Sequence, residues 1–202
     1  MKKVLSAVAA VSLFVPGLAL ASTWDIDSSH SSATFKVRHA MVSDVRGEFG
    51  KVAGVVNLDD KDVTKSTVEA TIDASTINTR DEKRDGHLKS PDFFDVANHP
   101  TITFKSKKVA KAGKDKLKVT GDLTMRGVTK EVVLDVVTSG NEAKDPWGNV
   151  KRGATATTKL NRKDFGLQWN KALETGGLLV GEEVAVQLDI ELNKKSDETA
   201  AK

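Results

Sequence analysis

Residues 116–139 constrain this chain most. Leu117, Val119, Leu123 and Met125 share one parity, with Gly121 between them, while Lys118, Thr120, Asp122 and Thr124 share the other. A helical period would scatter these positions around an axis. A period of two instead describes a strand with one dry and one wet face. Arg126-Gly127 interrupts the run before Val132, Leu134 and Val136 resume it, which predicts a β-hairpin.

Most of the remaining chain repeats this design. Strands are expected over 23–27, 31–39, 47–59, 66–74, 101–109, 151–160 and 183–192. Residues 40–46 are expected to form a turn or one helical turn, and the glycines within 47–59 to mark a bend. The exception is 79–90, which is polar and has no period of two. Thr79 with Glu82 fits a capping box, so a short helix is expected there, ended by Pro91. Phe93 and Phe94 follow as plugs that would pin this excursion to the core. Residues 141–149 read as a loop, 161–170 as irregular, and 174–181 as a glycine-rich loop with Leu178 and Leu179 at its centre. There is no βαβ rhythm. The fold class is all-β and antiparallel, of about eight strands, for which a closed barrel and a sandwich are the usual solutions.

The first 21 residues stand apart. Lys2 and Lys3 precede an apolar run, and Ala19-Leu20-Ala21 has the form of a cleavage site. This is the pattern of a secretory signal peptide cleaved after Ala21. The folded domain is expected over 22–192 and a disordered tail over 193–202. No later stretch approaches the ~18 apolar residues of a membrane span, so a soluble product is expected. There is no cysteine, so the core must carry stability without disulfides. Two of the 31 basic residues belong to the leader, which leaves 29 against 28 acidic and a formal charge of +1. These charges are interspersed, and no basic stripe of a nucleic-acid binder is present.

Four blocks, HSSATFKVRHAMVSDVRGEF (30–49), RDGHLKSPDFFDVANHP (84–100), GDLTMRGVTKEVVL (121–134) and LNRKDFGLQWN (160–170), resemble the YceI-like family. They occur in the family's order and span almost all of 22–192. The resemblance implies an extended, lipocalin-like antiparallel β-barrel with one or two short helices. It also implies export to the periplasm and an elongated cavity for a long apolar molecule, a polyisoprenoid or an acyl-chain lipid. A homodimer is a further association that it brings. The family supplies no catalytic residues to carry over, and its polar signature positions match here as Arg84, Asp85, His87, Ser90, Arg162, Asp164 and Phe165.

The inward parity of the strands supplies candidate ligand-binding residues: Phe35, Val37, Phe49, Ile72, Phe104, Leu123, Met125, Leu188 and Ile190, with Trp169 from the irregular stretch. The same residues would serve a filled core. The small inward residues Ala33, Ala70 and Gly121 and the Ala/Thr-rich strand 151–160 favour a hollow one. Arg84, His87 and Lys89 are candidates for a head group at the barrel mouth, since a guanidinium pairs two oxygens at once. Two alternatives stay open: a hydrolase or isomerase using His87 oriented by Asp85, and a solid-cored stress or interaction protein. His30, His39, His87 and His99 show no metal-site spacing, and neither a metal nor a cofactor is expected.

Overall fold

The computed structural model describes residues 21–195. Of the expected leader (1–21) and tail (193–202), residues 1–20 and 196–202 lie outside the described residues. The strands are β1 (Ala21–Ile26), β2 (Ser32–His39), β3 (Ser43–Phe49), β4 (Val52–Asp59), β5 (Thr67–Asp73), β6 (Ile77–Asn78), β7 (Thr101–Gly113), β8 (Lys116–Met125), β9 (Val128–Thr138), β10 (Ala143–Lys144), β11 (Val150–Asn161) and β12 (Val180–Lys194). The α-helix is α1 (Glu82–Lys89).

Eight strands close into a ring in the order β11-β9-β8-β7-β5-β4-β1-β12, with β12 returning to β11. Every pairing is antiparallel. Closure depends on β12. One edge pairs with β11 from Lys151↔Asn193 to Asn161↔Glu183. The other edge is shared: its last residues pair with β1, and Val180 and Val184 to Asp189, across a register shift, pair with β2, which carries β3 and β6 beside it. The expected barrel is thus formed. The expected β8–β9 hairpin is formed as well, and Arg126 and Gly127 at its tip have φ of 50° and 73°. Two left-handed residues give the turn that matches the twist of the strands.

Several boundaries differ from the sequence reading. The long strand expected over 47–59 is two strands, β3 and β4, and β3 begins at Ser43 inside the expected turn. The β2–β3 turn puts Ala40 and Met41 at φ 48° and 63°, a left-handed backbone on residues that carry no turn signature. The helix is capped by Asp81, which accepts the Arg84 N–H at 3.0 Å, in place of Thr79. Thr79 instead donates its backbone N–H and hydroxyl to Asp85. The last strand runs to Lys194, because Asn193 and Lys194 pair with Asp25 and Trp24.

The two ends are closed to different degrees. Trp24 is fully buried, with its indole N–H donating to Ser22 Oγ at 2.9 Å and the Arg152 and Lys194 cations over its ring. At the opposite end α1 has one apolar side chain, Leu88, and cannot hold itself down by burial. Phe93 and Phe94 do this, as the sequence predicted: Phe93 is buried, and Phe94 meets Phe49 edge to face at 5.5 Å. Arg126 then donates to Gly166 O and to Pro91 O, the latter at 2.6 Å, and ties the β8–β9 tip to the segments on either side.

Gly121 is a packing requirement. A methyl group there would meet the Lys105 carbonyl oxygen and the Phe104 ring at 2.5 Å. Gly121→Ala is expected to destabilise the protein by about 1–3 kcal/mol, the usual cost of overpacking. Urea denaturation checks it: a midpoint equal to wild type would show that the β7–β8 pair yields freely.

Candidate functional site

Inward residues of a closed barrel ordinarily fill it. Here Phe35, Val37, Phe104, Leu123, Leu188 and Ile190 point inward yet are only partly buried. Their neighbour is empty space: a cavity of about 540 Å³, within the ~300–1,000 Å³ of ligand pockets. Small side chains make the room. Ala154, Ala156 and Thr158 of β11, Ala33 of β2 and Ala70 of β5 all line the wall. The solid-cored alternative does not describe this interior.

Phe35, Val37, Phe49, Ile72, Phe104, Leu123, Met125, Leu188 and Ile190 all lie on the cavity wall. Trp169 does not. It sits outside the wall, its ring 4.8 Å from His87 and 5.4 Å from Phe93, and Leu167 turns inward in its place. The stretch after β11 is not a strand, so parity gave no guide there.

The head-group expectation for Arg84, His87 and Lys89 is not met by their placement. All three are on α1, and of that helix only Leu88 reaches the cavity. Arg84 donates from Nε to Thr79 Oγ1 and from Nη2 to Thr79 O, each at 2.7 Å. His87 Nε2 lies 2.9 Å from Asp92 Oδ2. Asp85 is taken by Thr79, so the His87–Asp85 pair that acid–base chemistry would need is not formed. Residues two apart on a helix do not face each other.

Two arginines absent from the candidate ligand-binding and head-group residues, one of them the signature residue Arg162, do line the cavity. Arg162 is 4% exposed at the end beneath α1. Its guanidinium donates to Gly181 O at 2.8 Å, to Leu167 O and to Val180 O at 3.4 Å. Burial pushes it below the usual arginine range, and Glu182 opposes that. Arg152 occupies the other end. Its parity matches Ala154, Ala156, Thr158 and Leu160, so the alternation of β11 held the signal for its inward placement.

With this geometry in view, similarity to known proteins decides the family. A family model described as a YceI-like domain matches residues 24–192. The chain belongs to the YceI-like family. A UPF0312 protein of Staphylococcus aureus (strain MSSA476) is 38% identical over 172 residues, covering 85% of this chain and 98% of the relative. The YceI-like fold recurs in the solved Campylobacter jejuni YCEI protein, with a TM-score of 0.66 and 31% identity over 79% of this chain and 90% of that one. It recurs again in a polyisoprenoid binding domain from Saccharophagus degradans, with a TM-score of 0.59, 14% identity, and 85% and 98% of the two chains covered. At that identity the likeness is one of fold.

One polar cluster lies on the outside of this YceI-like barrel. Asp27, His30 and Glu191 offer ligand atoms within 4.8 Å of one another. The Lys151 ammonium is 3.2 Å from Asp27 and 2.7 Å from Glu191, so an internal cation already joins the two carboxylates. Hydrogen bonds from the Ser29 hydroxyl and the His30 ring hold the Asp27 carboxyl far below the usual range, against the effect of burial. The hydrogen bond to Glu191, aided by Asp27, raises Lys151. Among the described residues no helix is long and apolar enough to cross a membrane.

A carboxyl depressed on folding stabilises fully above its unfolded value near pH 4, and that contribution fades as pH falls toward the folded value. A raised lysine behaves oppositely, contributing fully below about pH 10.4 and fading as pH rises. Thermal unfolding between pH 2 and pH 8 should therefore fall more steeply below about pH 4 in wild type than in Asp27→Asn. Parallel acid limbs would count against the network.

Proposed function

We propose that the protein binds a long apolar molecule, a polyisoprenoid or acyl-chain lipid, in its barrel cavity and carries it outside the cytoplasm. The observation that carries this reading is the hollow interior walled by apolar side chains that are left only partly buried. Burying methylenes against them contributes ~0.8 kcal/mol each. Ten would contribute ~8 kcal/mol, the free energy of a roughly micromolar complex before the cost of association. No strong polar contact is needed. The Saccharophagus degradans relative, described as a polyisoprenoid binding domain, supports the ligand class through a shared fold. The leader-like residues 1–21 support export, with the periplasm as the compartment the reading assigns.

Organic extraction of protein purified from several hosts, followed by mass spectrometry, should recover an apolar molecule. The emptied protein should take up a fluorescent apolar probe. Ala156→Phe, which fills the wall at a position 6% exposed, should weaken that uptake about tenfold or more while circular dichroism stays β-type. Extracts with no apolar molecule, together with no probe uptake, would refute the reading.

A further inference from the structure

The two ends of the cavity differ in chemistry. At the end beneath α1 the wall is Leu88, Phe93, Phe94 and Leu167, and all four are buried or half-buried. Arg162 is there too, but each of its three nitrogens already donates to a main-chain carbonyl. At the other end the lining residues Lys111, Asp115 and Lys116 are exposed, so the cavity opens to solvent there.

Arg152 stands just inside this opening. Of the β11 residues that line the cavity with inward parity it is the nearest to that end, and its guanidinium is half committed. Nη2 donates to Glu142 Oε1 at 3.0 Å, and the Cζ atom lies 5.2 Å from the centre of the Trp24 ring. Its Nε–H is buried and has no hydrogen-bond partner. A buried donor without a partner costs about 1–3 kcal/mol, so such a group calls for an acceptor. The Nε–H and a neighbouring N–H form the two-donor fork that matches the oxygens of a carboxylate or phosphate. Among the lining groups at this end three cations face one carboxylate, Asp115. Lys194, 3.8 Å from Glu142, adds a further positive charge behind Arg152.

We infer that the open end is a head-group subsite for an oxyanion, carboxylate or phosphate, carried on the apolar chain, and that Arg152 is its principal contact. Lys111 and Lys116 attract the anion and screen its charge at the rim. The chain then enters tail first, with its apolar terminus against Phe93 and Phe94. This rests on the chain-binding reading above.

The test displaces a fluorescent apolar probe with hexadecanoate and with hexadecanol, which share a chain and differ in the head. Wild type should bind the carboxylate at least tenfold more tightly. Arg152→Gln should bring that ratio to about one, Arg152→Lys should keep part of it, and Lys111→Gln with Lys116→Gln should lower it about threefold. The alcohol reports the folded fraction in every variant, so the ratio is insensitive to partial unfolding. Inorganic phosphate alone, titrated calorimetrically, should give no binding below millimolar concentration. Equal binding of acid and alcohol by wild type would overturn the subsite and leave the chain reading standing, as would a tenfold ratio retained in Arg152→Gln. Micromolar binding of inorganic phosphate would overturn the claim that the chain carries the anion. Binding of neither chain would overturn both readings.

Discussion

An eight-stranded barrel has an interior that its own side chains are just able to fill. Whether it is solid or hollow is therefore decided by the size of the residues that alternation turns inward. In this chain β11 contributes Ala154, Ala156 and Thr158, while Ala33 and Ala70 stand on β2 and β5. The space these leave is the cavity. Large residues are not missing but displaced: Trp24 is buried beneath Arg152 and Lys194 near the open end, and Phe49, Phe93 and Phe94 fill the other. The wall gives up the dispersion contacts that a filled core would make. A ladder that returns to its starting strand, with few free edges, offsets that loss.

The segments that are not strands obey a second rule. Beside apolar anchors such as Phe93 and Phe165, these segments are fastened by side chains that donate to main-chain oxygens or accept from main-chain N–H groups. Thr79, Arg84 and Asp85 bind the entry of α1 to itself. Arg126 and Arg162 reach carbonyls on neighbouring segments. Arg84, Asp85 and Arg162 are thus fasteners, which accounts for these polar residues in a protein whose cavity is apolar.

This also explains what was legible in the sequence and what was not. Parity along a strand names the inward residues without any knowledge of neighbours, and the wall positions from Phe35 to Ile190 were read in that way. Parity fails where the chain leaves the sheet. Trp169 follows a 3₁₀ turn and packs outside against His87, although its size and apolarity mark it for an interior. The turn expected from Ala40 onward is formed, but its left-handed backbone at Ala40 and Met41 was not legible, because no glycine marks it and tertiary hydrogen bonds such as Ala40 N–H to Leu179 O at 2.7 Å hold it. Arg84, His87 and Lys89 looked like a mouth because they are polar and lie beside a break in the pattern. Polarity alone does not distinguish a fastener from a binding group; the number of donors already spent does.

That distinction gives the barrel a direction. At the end beneath α1 the helix, two phenylalanines and the Arg162 carbonyl contacts form a plug whose polar groups are largely spent. At the other end the barrel finishes in hairpins bearing Lys111, Lys116 and Arg152, and the buried Nε–H of Arg152 is unspent. A long amphiphile meeting such a tube lowers its free energy most by putting methylenes in the dry plug end and its charge at the wet end. The opposite orientation would bury a charge where each nitrogen of Arg162 already donates to a carbonyl, at a cost of several kcal/mol. The asymmetry arises from where the fasteners stand, so the same side chains that hold the fold together also make the two ends of the cavity chemically unlike.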